Sequence, residues 1–121
     1  MLPRAHRMVD PADFRSVIRT GSRAGNTVVV VHCRTDEEPL SPLVGFVVAK
    51  KDIPRATARN RVKRQFRHLM AERMDTLPQG THLVVRISAS AQQKSYDELG
   101  QGLDNALIRA LSKWQNKAKN L

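Results

Sequence analysis

The stretch Lys50-Lys51-Asp52-Ile53-Pro54-Arg55-Ala56-Thr57-Ala58-Arg59-Asn60-Arg61-Val62-Lys63-Arg64-Gln65-Phe66-Arg67-His68 is both an amphipathic helix and the most cationic part of the chain. At about 100° per residue, Ala58, Val62, Phe66 and Leu69 fall within about 40° of one line, an apolar stripe that needs a core to cover it. Arg59, Asn60, Arg61, Lys63, Arg64, Arg67 and His68 occupy the other side. Nine Lys and Arg lie between Lys50 and Arg73 against two acids, Asp52 and Glu72. Arg59, Lys63 and Arg67 repeat one sign at i, i+4, where like charges repel by roughly 0.2–0.5 kcal/mol per pair. A merely solvated face alternates signs instead. Self-repulsion of this kind predicts an external anion, and the guanidinium forks of Arg59, Arg61, Arg64 and Arg67 match phosphate oxygens.

The rest of the chain agrees with a polyanion partner. It has 121 residues, enough for one domain, and 21 Lys and Arg against 11 Asp and Glu leave a formal charge of +10. The single Cys33 excludes an internal disulfide, and no Cys or His pairs stand at zinc-ligand spacing, so the core must hold by packing. Aromatic residues are only 4% of the chain, so binding should lean on charge, with few stacked bases. No apolar run approaches the ~20 residues of a membrane span, and Met1–Arg7 lacks the apolar stretch of a signal peptide. A soluble, cytoplasmic protein without a membrane or disulfide partner is expected.

Around the basic helix the pattern is mixed α+β in a single domain, 1–121. Residues 1–9 have no apolar period and read as a mobile basic arm that orders against a partner or against the domain. Asp10-Pro11-Ala12-Asp13 is a helix start, and Phe14, Val17 and Ile18 give that helix one apolar face up to about Thr20, where Gly21 ends it. The valine run in Thr27–Cys33 reads as a strand, followed by a loop at Asp36-Glu37-Glu38-Pro39. Leu43–Ala49 reads as a second strand, close enough to pair antiparallel with the first; its Gly45 marks a bulge or a close approach. A third strand, His82–Ile87, follows the turn Pro78-Gln79-Gly80. Ser95 and Glu98 stand at capping-box spacing before a helix to about Asn116, with Leu99, Leu103, Ala106, Leu107, Ala110, Leu111 and Trp114 on one stripe. Trp114 reads as an anchor, Lys113, Lys117 and Lys119 as complements to the helix dipole, and 117–121 as a flexible tail.

The motif Arg59-Asn60-Arg61-Val62-Lys63-Arg64-Gln65-Phe66-Arg67, after a strand ending in Lys50-Lys51, resembles the Arg-Asn-Arg signature of the bacterial ribonuclease P protein component. The basic N-terminus, Asp13-Phe14, the valine strand, the Val44-Gly45-Phe46 strand and the striped last helix extend that resemblance over most of the chain. It implies an α/β sandwich with a mostly antiparallel four-stranded sheet, about three helices and a left-handed βαβ crossover through the basic helix. It also implies a subunit that binds a large catalytic RNA and helps remove the 5′ leader of precursor tRNA. Magnesium would be held mainly by that RNA, and whether the protein adds a metal ligand is left open. Carried onto this sequence, Lys50, Lys51, Arg59, Asn60, Arg61, Lys63, Arg64 and Arg67 would contact the catalytic RNA. Phe14, Ile18, His32, Phe46 and Val48 would line a leader cleft. The chain departs from the family at Ile18 and His32, where aromatics that stack on leader bases usually stand.

No catalytic residue is expected in the polypeptide itself. Cys33 lies in a strand, His68 and Glu72 share a helix face without a third ligand, and no nucleophile-base or paired-carboxylate arrangement stands out. A structural RNA-binding protein of the ribosomal kind would carry a similar helix without needing a cleft. A helix-turn-helix DNA reader is disfavoured, because a strand and not a short helix precedes residues 54–70.

Overall fold

The computed structural model describes residues 2–36 and 41–119. Helix α1 (Pro11–Thr20) begins as the sequence dictates: Asp10 accepts a hydrogen bond from the Ala12 amide at 2.9 Å, and Pro11 takes the first helical position. Gly21 ends it, its amide donating to the Val17 carbonyl at 2.9 Å. Strand β1 (Ser22–Gly25) follows at once and is not foreshadowed by the sequence, since its four residues include Gly25 and two polar side chains and have no apolar alternation. Strands β2 (Val29–Thr35) and β3 (Leu43–Val47) lie close to their expected places. The expected loop beyond Asp36 lies largely outside the described residues.

The basic helix α2 (Ala56–Ala71) buries Val62, Phe66, Leu69 and Met70. Gly80, at φ 80°, makes the turn into β4 (Thr81–Ile87). Helix α3 (Tyr96–Lys119) opens with the capping box in place: the Ser95 amide donates to Glu98 Oε1 at 3.1 Å, and the Glu98 amide to Ser95 Oγ at 3.2 Å. Those bonds to Ser95 also hold the Glu98 carboxyl below its ordinary pKa. The helix runs on through 117–119, where the sequence suggests a tail; residues 120 and 121 lie outside the described residues.

The four strands form one sheet in the order β1-β2-β4-β3. The expected antiparallel pairing of Leu43–Ala49 with the valine strand is not made. β4 lies between them, antiparallel to β2 and parallel to β3. The reason is the length and chemistry of the segment joining β3 to β4. A parallel neighbour needs a crossover of a dozen or more residues, which α2 supplies, and its apolar stripe must pack back onto the sheet. β4, buried on both faces except at Arg86, is suited to the interior of the sheet.

Alternation along the strands divides the side chains between two faces. Val29, Val31, Cys33, Val44, Leu83, Val85 and Ile87 join Phe66, Leu69, Leu99, Leu103 and Ala110 in the main core beneath α2 and α3. On the opposite face, Val17 of α1 meets Met8 and Val84, with Phe14, Leu43 and Val47 packed alongside. Of the two ways in which the N-terminal arm could order, residues 2–8 lie against the domain. Leu2 is buried in the main core, Arg7 bridges Val44 in parallel, and the Met8 amide donates to the Val44 carbonyl at 2.9 Å. The β3 edge is thereby covered.

The α3 cations do more than face a dipole. Lys113 Nζ donates to the Arg23 carbonyl at 2.9 Å, Arg109 Nη1 to Gly25 at 3.0 Å and Lys117 Nζ to Thr20, the last residue of α1, at 3.3 Å. Lys117 also lies 5.7 Å from the centroid of the Trp114 ring, which packs half-buried on the core.

Candidate nucleic-acid interface

Helix α2 places its charge where the helical period predicts. With Val62 and Phe66 fully buried, Asn60, Arg61 and Arg64 are exposed and Lys63 and Arg67 half-buried. Lys50 and Lys51 are exposed in the turn leading to the helix. Among the described residues, no acid forms an ion pair with any of these cations. Arg55 and Arg61 flank a depression of about 520 Å³ shared with Thr57, Ala58 and Gln92. It adjoins the N-terminus of α2, where the side chain of Arg55 supplies no cap and the helix dipole favours an anion.

Arg59 differs from its neighbours. Its Nη1 donates at 2.8 Å to the carbonyls of both Ile53 and Pro54, and Ile53 is itself fully buried. The guanidinium therefore braces the turn carrying Lys50, Lys51 and Arg55, which periodicity alone could not reveal.

The five residues assigned to a leader cleft do not come together. Phe14 and His32 lie on the α1 side of the sheet, and Ile18 is 38% exposed on α1 instead of packed in a core. Phe46 and Val48 pack half-buried against the main core; Phe46 is beside Val85 in the sheet, facing α2 and α3. The expected alternation is one residue out of phase, and in a strand that exchanges the two faces. Leu43, Gly45 and Val47 are the residues of β3 on the α1 side.

That side is only partly covered. α1 lies over β2 and β4, and beyond it Arg23, Val30, Val47, Ala49, Asp52, Arg86, Ile87, Ser88 and Ala89 line an open groove of about 320 Å³. Arg23, Val30, Val47 and Arg86 are not among the residues that sequence reasoning selects. The detectable signal is alternation: Val30 is two residues before His32, and Arg86 is the one exposed residue of β4.

His32 pairs with Arg23 on one side and Val84 on the other. It is 3% exposed, and neither ring nitrogen has a hydrogen-bond partner. Burial, then the charges of Arg86 and Arg23, push its pKa below the ordinary value, so the ring is held neutral. On the other face of the same strand, burial pushes the Cys33 thiol up to about 12, which makes it an inert core residue. Among the described residues no three His, Cys, Asp or Glu side chains converge on a metal position, and no helix is long and apolar enough to cross a membrane.

A cationic helix face and a groove flanked by two arginines suit an extended polyanion with unpaired segments. Comparison with known proteins gives the family. The Ribonuclease P family profile matches residues 2–111. The ribonuclease P protein component of a Nocardioides species is 43% identical over 111 residues, covering 90% of this chain and 94% of that one. That of Streptomyces avermitilis is 40% identical over 119 residues, covering 92% and 96%. Among solved structures, the RNase P protein of Thermotoga maritima superposes with a TM-score of 0.70 at 25% identity, covering 82% of this chain and 92% of that one. The RNase P protein of Staphylococcus aureus reaches 0.79 at 23% identity over 88% and 96%, a likeness of fold.

Proposed function

From the premise that the chain belongs to the ribonuclease P protein family, we propose that α2 binds the catalytic RNA of that enzyme and that the groove beside α1 holds the 5′ leader of precursor tRNA. The chain is a protein component of an RNA-based endoribonuclease of tRNA processing. The observation that carries the finer reading is the cationic face of Arg61, Lys63, Arg64 and Arg67 on a helix whose other face is locked into the core. A rigid array of this kind neutralises phosphates with little ordering cost of its own. Lys50, Lys51 and Asn60 extend the same surface, while Arg59 keeps the adjoining turn in shape.

In the groove, Arg23 and Arg86 attract leader phosphates, and Val30 and Val47 give apolar floor to unpaired bases. Hydrolysis belongs to the RNA, and magnesium in this proposal sits on RNA phosphates. A cytoplasmic location follows from the same reading.

The test is cleavage of a 5′-extended precursor tRNA by a bacterial ribonuclease P RNA at low magnesium. It is run without protein, with the wild type and with an Arg61/Lys63/Arg64 triple-Ala variant. Stimulation by the wild type that is lost in the variant supports both the role and the helix. Salt-sensitive RNA binding without stimulation would favour a general structural RNA-binding protein instead.

A further inference from the structure

We propose that Arg34 is a positioning residue for leader handling, holding the second half of α1 against the sheet and so setting the position of Val47, which lies beneath α1 and also lines the groove. The inference rests on the leader reading above. Arg34 is on the α1 side of β2, two residues after His32, with its side chain 18% exposed. Its Nη1 donates to Ser16 Oγ and, at 3.3 Å, to Thr20 Oγ1. Ser16 and Thr20 are one turn apart on α1, so one guanidinium nitrogen reaches two points along the helix axis.

The other side of the fork is anchored in the sheet. Nη2 donates to Asp36 Oδ2 at 3.4 Å and lies 3.4 Å from His82 Nδ1, while Nε is 3.1 Å from Asp36 Oδ1. His82, 8% exposed in its side chain, is 3.5 Å from Asp36 through Nδ1 and pairs with Arg34 across β2 and β4.

The apolar contacts of α1 already hold it on the sheet, through Val17 on Val84 and Phe14 over Gly45. Such contacts fix the spacing of the layers and resist sliding or rotation weakly, because they have no direction. A planar fork bonded to two hydroxyls on one side and a carboxylate on the other supplies that direction. Lysine, with a single point charge, cannot span both. Val47 belongs both to the cluster beneath α1 and to the lining of the groove, so a shift of the helix is transmitted to the groove.

The experiment uses the reconstituted holoenzyme with two precursor tRNAs, one with a long 5′ leader and one with a single-nucleotide leader. It compares wild type, Arg34→Lys, Arg34→Gln, a Ser16→Ala/Thr20→Val variant and the combination of that variant with Arg34→Lys. The Arg34 variants should raise KM for the long-leader substrate by about five- to tenfold with kcat within about twofold, the size expected when hydrogen bonds that act only through binding are removed. The effect should be confined to that substrate. In the Ser16→Ala/Thr20→Val background, Arg34→Lys should add less than about twofold, because the partners through which it acts are gone.

Multiplicative effects in that cycle, or equal KM changes with both substrates, would overturn the positioning role. If wild type discriminates between the leaders and neither Arg34 variant alters that discrimination, only this proposal fails. If wild type itself does not discriminate, the leader reading fails and takes the proposal with it.

Discussion

The ring of Phe14 occupies the space over Gly45, where a Cβ would collide with ring carbons Cε1 and Cζ and lie 3.2 Å from Met8 Cβ. Glycine is required there by the closeness of α1 to β3, with no unusual backbone angle. Gly45→Ala should therefore destabilise the protein by about 1–3 kcal/mol, the usual cost of overpacking. Adding Phe14→Leu should recover part of the loss in urea denaturation, and a double variant no better than additive would remove the ring from the explanation.

Phe46 and Arg86 should separate stability from leader handling. Phe46 packs on the main core, so Phe46→Ala should cost about 2 kcal/mol, somewhat under the range for a fully buried ring. Its preference for leader-bearing over leaderless tRNA should stay near that of wild type. Arg86→Ala, altering an exposed groove residue beside Val47, should weaken that preference while changing stability by no more than about 0.5 kcal/mol. Competitive binding beside denaturant melts checks both.

Arg59 and Arg61 are neighbours in the signature, yet they should behave differently. Arg61→Ala should lower the slope of log affinity against log salt by about 0.7–0.9, the amount for one phosphate left without its cation, with the melting curve unmoved. Arg59→Ala removes the donor from the Ile53 and Pro54 carbonyls and should cost about 1–2 kcal/mol in the free protein. Equal melting curves for the two variants would show that the Arg59 bonds contribute nothing.

His32 should make the free protein acid-sensitive. Burial and the charges of Arg86 and Arg23 place its folded pKa below the ordinary 6.5, so the unfolded chain takes up the proton first. Stability is then undiminished above about pH 6.5 and falls as the pH drops below it, because protonation favours the unfolded state. His32→Gln should flatten the stability curve between about pH 7 and pH 5. Curves that remain parallel would mean that the ring is relieved by water.

Leu2 anchors the N-terminal segment with 1% exposure. Leu2→Ala should cost about 2–4 kcal/mol, a large penalty for the second residue of a chain. Hydrogen exchange at Met8, whose amide donates to Val44, should speed up in parallel. An unchanged Met8 rate would mean that the β3 edge holds this segment without its apolar anchor.

Much of this protein is legible before any fold is seen, because its signals are local. Asp10 and Pro11 start α1, Ser95 and Glu98 cap α3, and Val62 to Leu69 turn the cationic side of α2 outward, all through neighbours within about one helical turn. The net charge and the spacing of Arg59 to Arg67 predict a polyanion partner in the same way, and the family was legible as a resemblance carried by the Arg59-Asn60-Arg61 motif.

Beyond the crossover that the resemblance implied, the tertiary structure decided which strands meet and which way β3 faces. A strand's pairing depends on where a distant segment returns, and α2 returns β4 between β2 and β3. The face exposed by β3 then depends on register, where one residue separates Phe46 in the core from Val47 at the groove. The tasks of Arg59 and Arg34 were hidden for the same reason. A long, flexible cation declares its charge in the sequence, but the carbonyl, hydroxyl or carboxylate that takes it is chosen only when the layers pack.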